Sequence, residues 1–548
     1  MIHELLFGNS GGFGEGKRQN EHYYSQGLQR SQFGMSTGYG ITAVRTSDDI
    51  SGLAEVKYFA EKAGKLYAQD ANGKVYRETN NGTLDFGSAH YSPTVASSGR
   101  GMIRDQKDRL LAFANTTVSK FESAWLESWQ TGLTDADHFP DLFEDKVIFA
   151  NGNKVGAINA DDSITLDAFE LPSSFTVVVA KAGSNGVLVG ANLGYSGYLM
   201  LWDPNFADRA KAPWIPLSGT VQSIERATDG WIVVTQKEVL WTNGYSTHHL
   251  APLFDDPLGY TAFTVYPQGL LRVNEKLFIL NAASGYQRMK PGVLVFDLST
   301  RLFDFIPLST LNTASATPRA IYATKSTTQT VAVAFADSAT GKNYIGSLGV
   351  TTGNRAMLIS EPVGNGVSEK VSEAVILNIT PSPTLRGKGT FSFDASVKIA
   401  DLQRPIWGIH ITNADSASAI TLRVDGTSSS FFKAEVGDEV TILEGPNAGQ
   451  VRHIASIANT GLSNETWTLD AALSAITVAG TDIQVEPYKL LTKKSLTNLT
   501  EVPPLFFPDK QKHRGKLFLI KILLENITNV QFDLHPSKFV YDDLKDAS

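Results

Sequence analysis

Between residues 41 and about 350 one unit keeps returning: a short alternating strand, a turn rich in Gly and Asn, and a second alternating strand. It appears first as GKLYAQDANGKVYRE, where Leu66, Ala68, Val75 and Arg77 alternate around Asn72-Gly73, a pair that tolerates positive φ and suits a two-residue hairpin. It recurs as RLLAFANTTVSKF, KVIFANGNKVGAIN, NGVLVGANLGYSGYLMLWDP, GWIVVTQKEVLWTNGYS, KLFILNAASGYQRMKPGVLVFDLSTRLFDFIPL and TQTVAVAFADSATGKNYIGSL. Seven units over this span give about 44 residues each, the spacing of a four-stranded blade. A lone hairpin cannot cover its apolar face, whereas radial stacking buries both faces and leaves only short edges. The expectation is an all-β chain with a β-propeller over 41–355, uncertain by one blade; a series of sandwiches would require domain breaks that this stretch lacks.

The flanks read differently. Residues 1–40 hold nine of the 47 glycines and no sustained apolar period, the pattern of a glycine-rich N-terminal arm that folds only against something else. Beyond 355, KVSEAVILNITPSP, GTFSFDASVKI and KLFLIKILLENITNVQFDL read as strands, the last as a pair around Glu525-Asn526. They predict a β-sandwich in two parts, 356–404 and 491–548. The intervening 405–490 carries VGDEVTILEGPNAGQVRHIASI, in which Val440 and Ile442 alternate, Gly445-Pro446-Asn447 turns the chain, and Val451 and Ile454 resume after Gly449. This resembles the KOW-type hairpin of an SH3-like barrel. Glu435, Asp438, Glu439 and Glu444 outnumber Arg452 around the turn, which favours a spacer over a nucleic-acid contact.

Composition excludes more than it assigns. A net charge of −8 disfavours a protein built to grip phosphate backbones. The absence of cysteine removes disulfides, thiolate zinc sites, iron–sulfur clusters and cysteine nucleophiles. The start, MIHELLFGNSGG, lacks the basic, apolar and small-residue order of a secretory leader, so six Asn-x-Ser/Thr sites beginning at Asn81 and Asn115 carry little weight. Apolar runs are strand-length, and no membrane-spanning segment is expected.

Catalytic, cofactor-binding and metal residues are each expected to be none. Gly8-Asn9-Ser10-Gly11-Gly12 matches a nucleophile elbow without the strand and helix that such an elbow joins. Gly11–Lys17 approaches a phosphate loop, but Arg18 stands where Ser or Thr is needed. His248 and His249, with Asp255 and Asp256 beyond, cannot share one ion, because adjacent strand residues face opposite ways. Asp161-Asp162 and Asp542-Asp543 have the same geometry, and Thr228-Asp229-Gly230-Trp231 reads as a turn beside a packed tryptophan. Trp125, Trp129, Trp202, Trp214, Trp231 and Trp241 are expected mainly in blade packing, with sugar stacking as the alternative.

The arm, the blades typified by GKLYAQDANGKVYRE, the sandwich, the inserted barrel and the closing HRGKLFLIKILLENITNVQFDL together resemble tailed-bacteriophage virion proteins of the propeller-type tail nozzle or tail tubular B class, although this chain is short for that class. The resemblance implies a non-enzymatic structural protein of the virion tail. It implies a homo-oligomeric ring, possibly a hexamer, that contacts other phage tail or adaptor proteins and passes genomic DNA as non-specific cargo. A lumen of neutral or negative charge is then expected, with Lys17, Arg18 and Arg30 placed at contacts between subunits. The alternatives are a tail adhesin for host-surface glycans and, further off, a propeller glycosidase.

Overall fold

The computed structural model describes residues 2–5, 24–26, 28–31, 34–37, 39–95, 97–205, 213–253, 264–282, 292–298, 301–308, 316–325, 330–337, 341–350, 355–359, 363–364, 370–381, 391–401, 409–424, 434–442, 445–447, 450–458, 465–477, 481–499, 504–515, 517–528 and 532–543. Their regular structure is strand throughout, apart from a short 3₁₀ turn at Gly445–Asn447. Seven four-stranded antiparallel sheets follow one another as blades: 56–91, 99–131, 141–170, 176–217, 221–252, 270–307, and 316–350 completed by Tyr39–Thr46. This is a β-propeller, and each recurring sequence unit supplies the middle strands of one blade.

Closure uses the chain's beginning. Tyr39–Thr46 pairs with Lys342–Val350 from Thr46 opposite Tyr344 to Tyr39 opposite Val350, so blade 7 borrows its outermost strand from the segment that leads into blade 1. Side chains seal the same seam, since Ala320, Ala332, Ala334 and Ile345 of blade 7 share a core with Phe59, Leu66 and Tyr76 of blade 1. Elsewhere the faces between blades are filled in the same manner, as where Leu188, Leu199 and Leu201 of blade 4 meet Ile224, Trp231 and Val233 of blade 5.

Two further sheets lie outside the propeller. One orders Leu28–Ser31, Gly34–Thr37, Phe532–Asp543, Lys370–Pro381 and Leu505–Pro508, with Ile2–Leu5 also on Phe532–Asp543. The other orders Tyr24–Gln26, Arg355–Ile359, Leu517–Thr528, Phe391–Asp401 and Lys489–Leu499. Val375, Leu377, Phe507 and Phe539 of the first share one core with Phe393, Val397, Ile520, Ile522 and Leu524 of the second. Between Phe391–Asp401 and Lys489–Leu499 the chain leaves to form a closed six-stranded barrel, Ile409 to Glu486, packed on Leu422, Val440, Ile442, Ile454, Trp467, Ile483 and Val485.

Three local expectations are corrected. Within residues 1–40, the described strands Ile2–Leu5, Tyr24–Gln26, Leu28–Ser31 and Gly34–Thr37 pair into the two outer sheets, and the expected 40/41 boundary falls inside Tyr39–Thr46. Edge strands are held by backbone hydrogen bonds, which need no apolar period of their own. The Asn72-Gly73 turn is longer than two residues, because Asp70 Oδ1 accepts the N–H groups of Asn72 and Lys74, both at 2.9 Å, and holds a wider loop with Gly73 at φ +74°. Glu525-Asn526 is not a turn; strand Leu517–Thr528 runs through it, with Glu525 opposite both Arg355 and Asp394.

Glycine also sets the fit between blades. A β-carbon at Gly183 would lie 2.4 Å from Cζ2 of Trp231, a ring only 1% exposed whose Nε1 donates to the Lys181 carbonyl at 3.0 Å. Gly183→Ala is expected to destabilise the protein by about 1–3 kcal/mol, the usual cost of overpacking, measured by the urea midpoint. An unchanged midpoint would refute the locked placement of Trp231.

Candidate functional site

The first strands of the blades converge on the propeller axis. Tyr58, Met102, Phe139, Asp141, Lys181, Ile224 and Gln268 surround a cavity of about 80 Å³ there. It has room for several waters and for nothing of polymer size. Gln268, just before blade 6, reaches the first strand of blade 1: its Oε1 accepts the Phe59 N–H at 2.7 Å and its Nε2 donates to the Phe59 carbonyl at 2.8 Å. The Tyr58 and Phe139 rings pack 5.5 Å apart beside it.

At one end of the axis the Lys181 ammonium sits 3.6 Å from Glu225 and 3.9 Å from Asp141. Burial alone would lower its pKa, but the two carboxylates together hold it above the ordinary lysine value. Asp141 also accepts the Ala182 N–H at 2.9 Å. The triad is thus an ion cluster across the first strands of blades 3, 4 and 5.

Most residues singled out in the sequence take structural partners. His248 and His249 face opposite ways on Thr247–Pro252: His248 lies against Trp241 with ring centroids 5.4 Å apart, while His249 Nδ1 is 2.7 Å from Glu238. Asp161 accepts from Ser163 and Asp162 from Lys107 and Arg109, so the two adjacent carboxylates serve different partners. Asp542 and Asp543 end the strand Phe532–Asp543. Among the tryptophans, Trp202 and Trp231 are core residues, whereas Trp214 remains 40% exposed. Trp125 stacks on Tyr91 and donates to His90, and Trp129 lies between Arg109 and Lys120. Gly8, Asn9, Ser10, Gly11, Gly12, Lys17, Arg18, Asp255, Asp256, Glu444 and Gly449 lie outside the described residues. Arg30 is on Leu28–Ser31, opposite Met35.

The sequence did not reveal where the charges pair. In blade 2, Arg109 is 5% exposed and donates from Nε to Asp105 at 2.7 Å and through both terminal nitrogens to Asp162 at 2.9 Å. Where the barrel meets the six-stranded sheet, buried Glu439 pairs with Lys398 and Lys521, and Lys521 also reaches Glu486 at 2.5 Å. The acidic character of the barrel turn is therefore partly the complement of lysines on the chain's own sheet. His453 lies at the rim, 3.1 Å from Asp470, with its pKa lowered by burial and by Lys398. Among the described residues no group of three or more His, Asp or Glu side chains is placed to hold a metal ion, and no helix is long and apolar enough to cross a membrane.

No protein family matches the chain, and no curated protein does. Among solved structures it is similar to a streptogramin B lyase at TM-score 0.43 and 11% identity, over 57% of this chain and 97% of that one. It is also similar to the Pan2 WD40 domain of Neurospora crassa, at TM-score 0.39 and 13% identity over 54% and 89%, and to YCF48 bound to D1 peptide, at 0.40 and 8% over 57% and 94%. Likenesses this distant carry no argument about activity, and the propeller stands on its own seven sheets.

The Arg109 cluster has a readable pH signature. Asp162 is pulled from 3.8 to about 2, first by its hydrogen bonds from Arg109. A lowered folded-state pKa gives stability that is present above about 4 and lost as pH falls toward about 2. Arg109→Met is expected to lower stability at pH 7, and the gap from wild type should narrow over that acid range, followed by urea midpoints against pH. A gap that stays constant from pH 5 to 2 would refute the assignment.

Proposed function

We propose that the chain is a structural subunit of a tailed-phage virion, forming part of the distal tail wall as a homo-oligomeric ring. In this reading the two outer sheets form a β-sandwich in two parts, and the barrel is an SH3-like insertion used as a spacer. The observation that supports it most is mechanical: the segment before blade 1 pairs into both outer sheets and then completes blade 7, so the propeller and the sheets are sewn together by backbone hydrogen bonds. Such a body suits a load-bearing wall. The small cavity among the blades' first strands leaves no polymer-sized opening there, so in this reading any conduit lies between copies, not through one.

Internal charge pairing agrees with that role. Arg45 with Asp85, Arg100 with Asp135, Arg109 with Asp162, Lys493 with Asp394, and Lys521 with Glu486 neutralise cations within one subunit. These pairs form within one subunit, before any contact between subunits. A wall with few uncompensated cations holds DNA weakly.

The full chain is expected to form closed rings by negative-stain electron microscopy, with a mass several times 59.4 kDa by light scattering. A monomer at all concentrations, together with its absence from purified particles by mass spectrometry, would overturn the reading.

A further inference from the structure

The outer strand of blade 1 and the last hairpin of blade 2 are joined by a side-chain hydrogen bond that only one protonation state allows. Phe86–Tyr91 pairs with Val75–Glu78 so that Tyr91 lies opposite Val75 and Ala89 opposite Tyr76, which leaves His90 as the extra residue of a β-bulge. A bulge turns two adjacent side chains toward one side, where a regular strand would separate them. His90 and Tyr91 accordingly both meet blade 2.

Trp125 opens Trp125–Thr131 directly after the exposed turn 122–124, opposite Phe121. Its indole stacks on Tyr91, 4.4 Å away at 21°, and on Phe121, 5.3 Å away at 29°. His90 meets the Phe121 ring edge-on at 4.8 Å, and Trp125 Nε1 donates to His90 Nδ1 at 3.0 Å. An indole nitrogen only donates, so this Nδ1 is unprotonated and the neutral ring carries its proton on Nε2. A proton added at Nδ1 would set two donors against each other and leave the indole N–H without its acceptor.

The surrounding charges do not favour an imidazolium. Burial, and then the charge of Arg77 on Val75–Glu78, hold the His90 imidazole below the ordinary histidine value. The acids nearby are engaged elsewhere: Asp108 faces Lys62 at 3.3 Å, Glu122 lies 3.8 Å from Lys120 and 3.9 Å from Arg109, and Glu127 accepts from Thr94. Lys62 itself stands 6.0 Å from the Phe121 ring centroid. The Tyr67 ring is 5.7 Å from His90, and burial raises the pKa of its hydroxyl, so it stays neutral in mild acid. A lowered histidine value leaves the closed contact at full stability above about 6.5 and weakens it progressively as pH falls below.

We propose that His90 and Trp125 form an acid-released latch between the rims of blades 1 and 2. Protonation of His90 frees the Trp125 hairpin from blade 1 and opens the aromatic faces of Tyr91 and Phe121 beside the exposed Leu126. The apolar core beneath, with Met102, Leu110 and Ala112, stays packed. The inference goes beyond the ring assignment and does not rest on it.

The fluorescence difference between the full chain and its Trp125→Phe variant isolates this indole and is followed from pH 7.5 to 4.5. It is expected to shift to longer wavelength and to become about twofold more sensitive to acrylamide, with a one-proton midpoint below 6.5. His90→Asn places near Nδ1 an amide oxygen that accepts at every pH, so in this variant the transition should vanish. Arg77→Gln removes the neighbouring cation and should move the midpoint to higher pH. It leaves the bulge and both latch residues in place, so it remains decisive if His90→Asn fails to fold. A signal unchanged across the range, a transition that persists in His90→Asn, or a midpoint unmoved in Arg77→Gln would each overturn the proposal.

Discussion

The pairing of Tyr39–Thr46 with Lys342–Val350 is the constraint on which the rest depends. Seven sheets in sequence make an arc, and an arc exposes the face of its first and last blades. Joining a strand from the beginning of the chain to the last blade turns those exposed faces into the shared core of Ala320, Ala332, Ile345, Phe59 and Leu66. Since the contact spans nearly 300 residues of sequence, it is entropically costly to form and favours late closure once the blades already exist. The same beginning of the chain then fixes the outer sheets, so propeller closure and sheet assembly share one segment.

Charge is handled by pairing inside the subunit. Arg109 and Glu439 are both almost fully buried, and each meets more than one opposite charge, Asp105 with Asp162 in one case and Lys398 with Lys521 in the other. Buried ion clusters contribute little net stability compared with apolar packing, while removing one member strands a charge at a cost of about 3–5 kcal/mol. Their effect is to select one arrangement: the barrel can sit on its sheet only where Glu439 and Glu486 meet the two lysines.

The repeat was legible because blade packing imposes period-two alternation and turn chemistry on local sequence, and all seven units read in that way became blade hairpins. What could not be read was set at a distance. The strands near Ile2 and Tyr24 carry no periodic signal because partner strands supply their hydrogen bonds. Gly183 looks like any turn glycine until Trp231 is seen against it. Glu439 and Lys521 are 82 positions apart, and only the docking of the barrel on its sheet brings them together.

The closed axis bears on how a ring of such subunits could conduct DNA. Gln268, joined to the Phe59 backbone through both atoms of its side-chain amide, lines the small cavity among the blades' first strands. In the proposed ring, a passage between subunits would be lined by outer strands, loops or the appended sheets. Passage of a polyanion through such a wall would be governed by the cations left unpaired along it, since each one engaged with phosphate releases counterions and adds a salt-dependent hold.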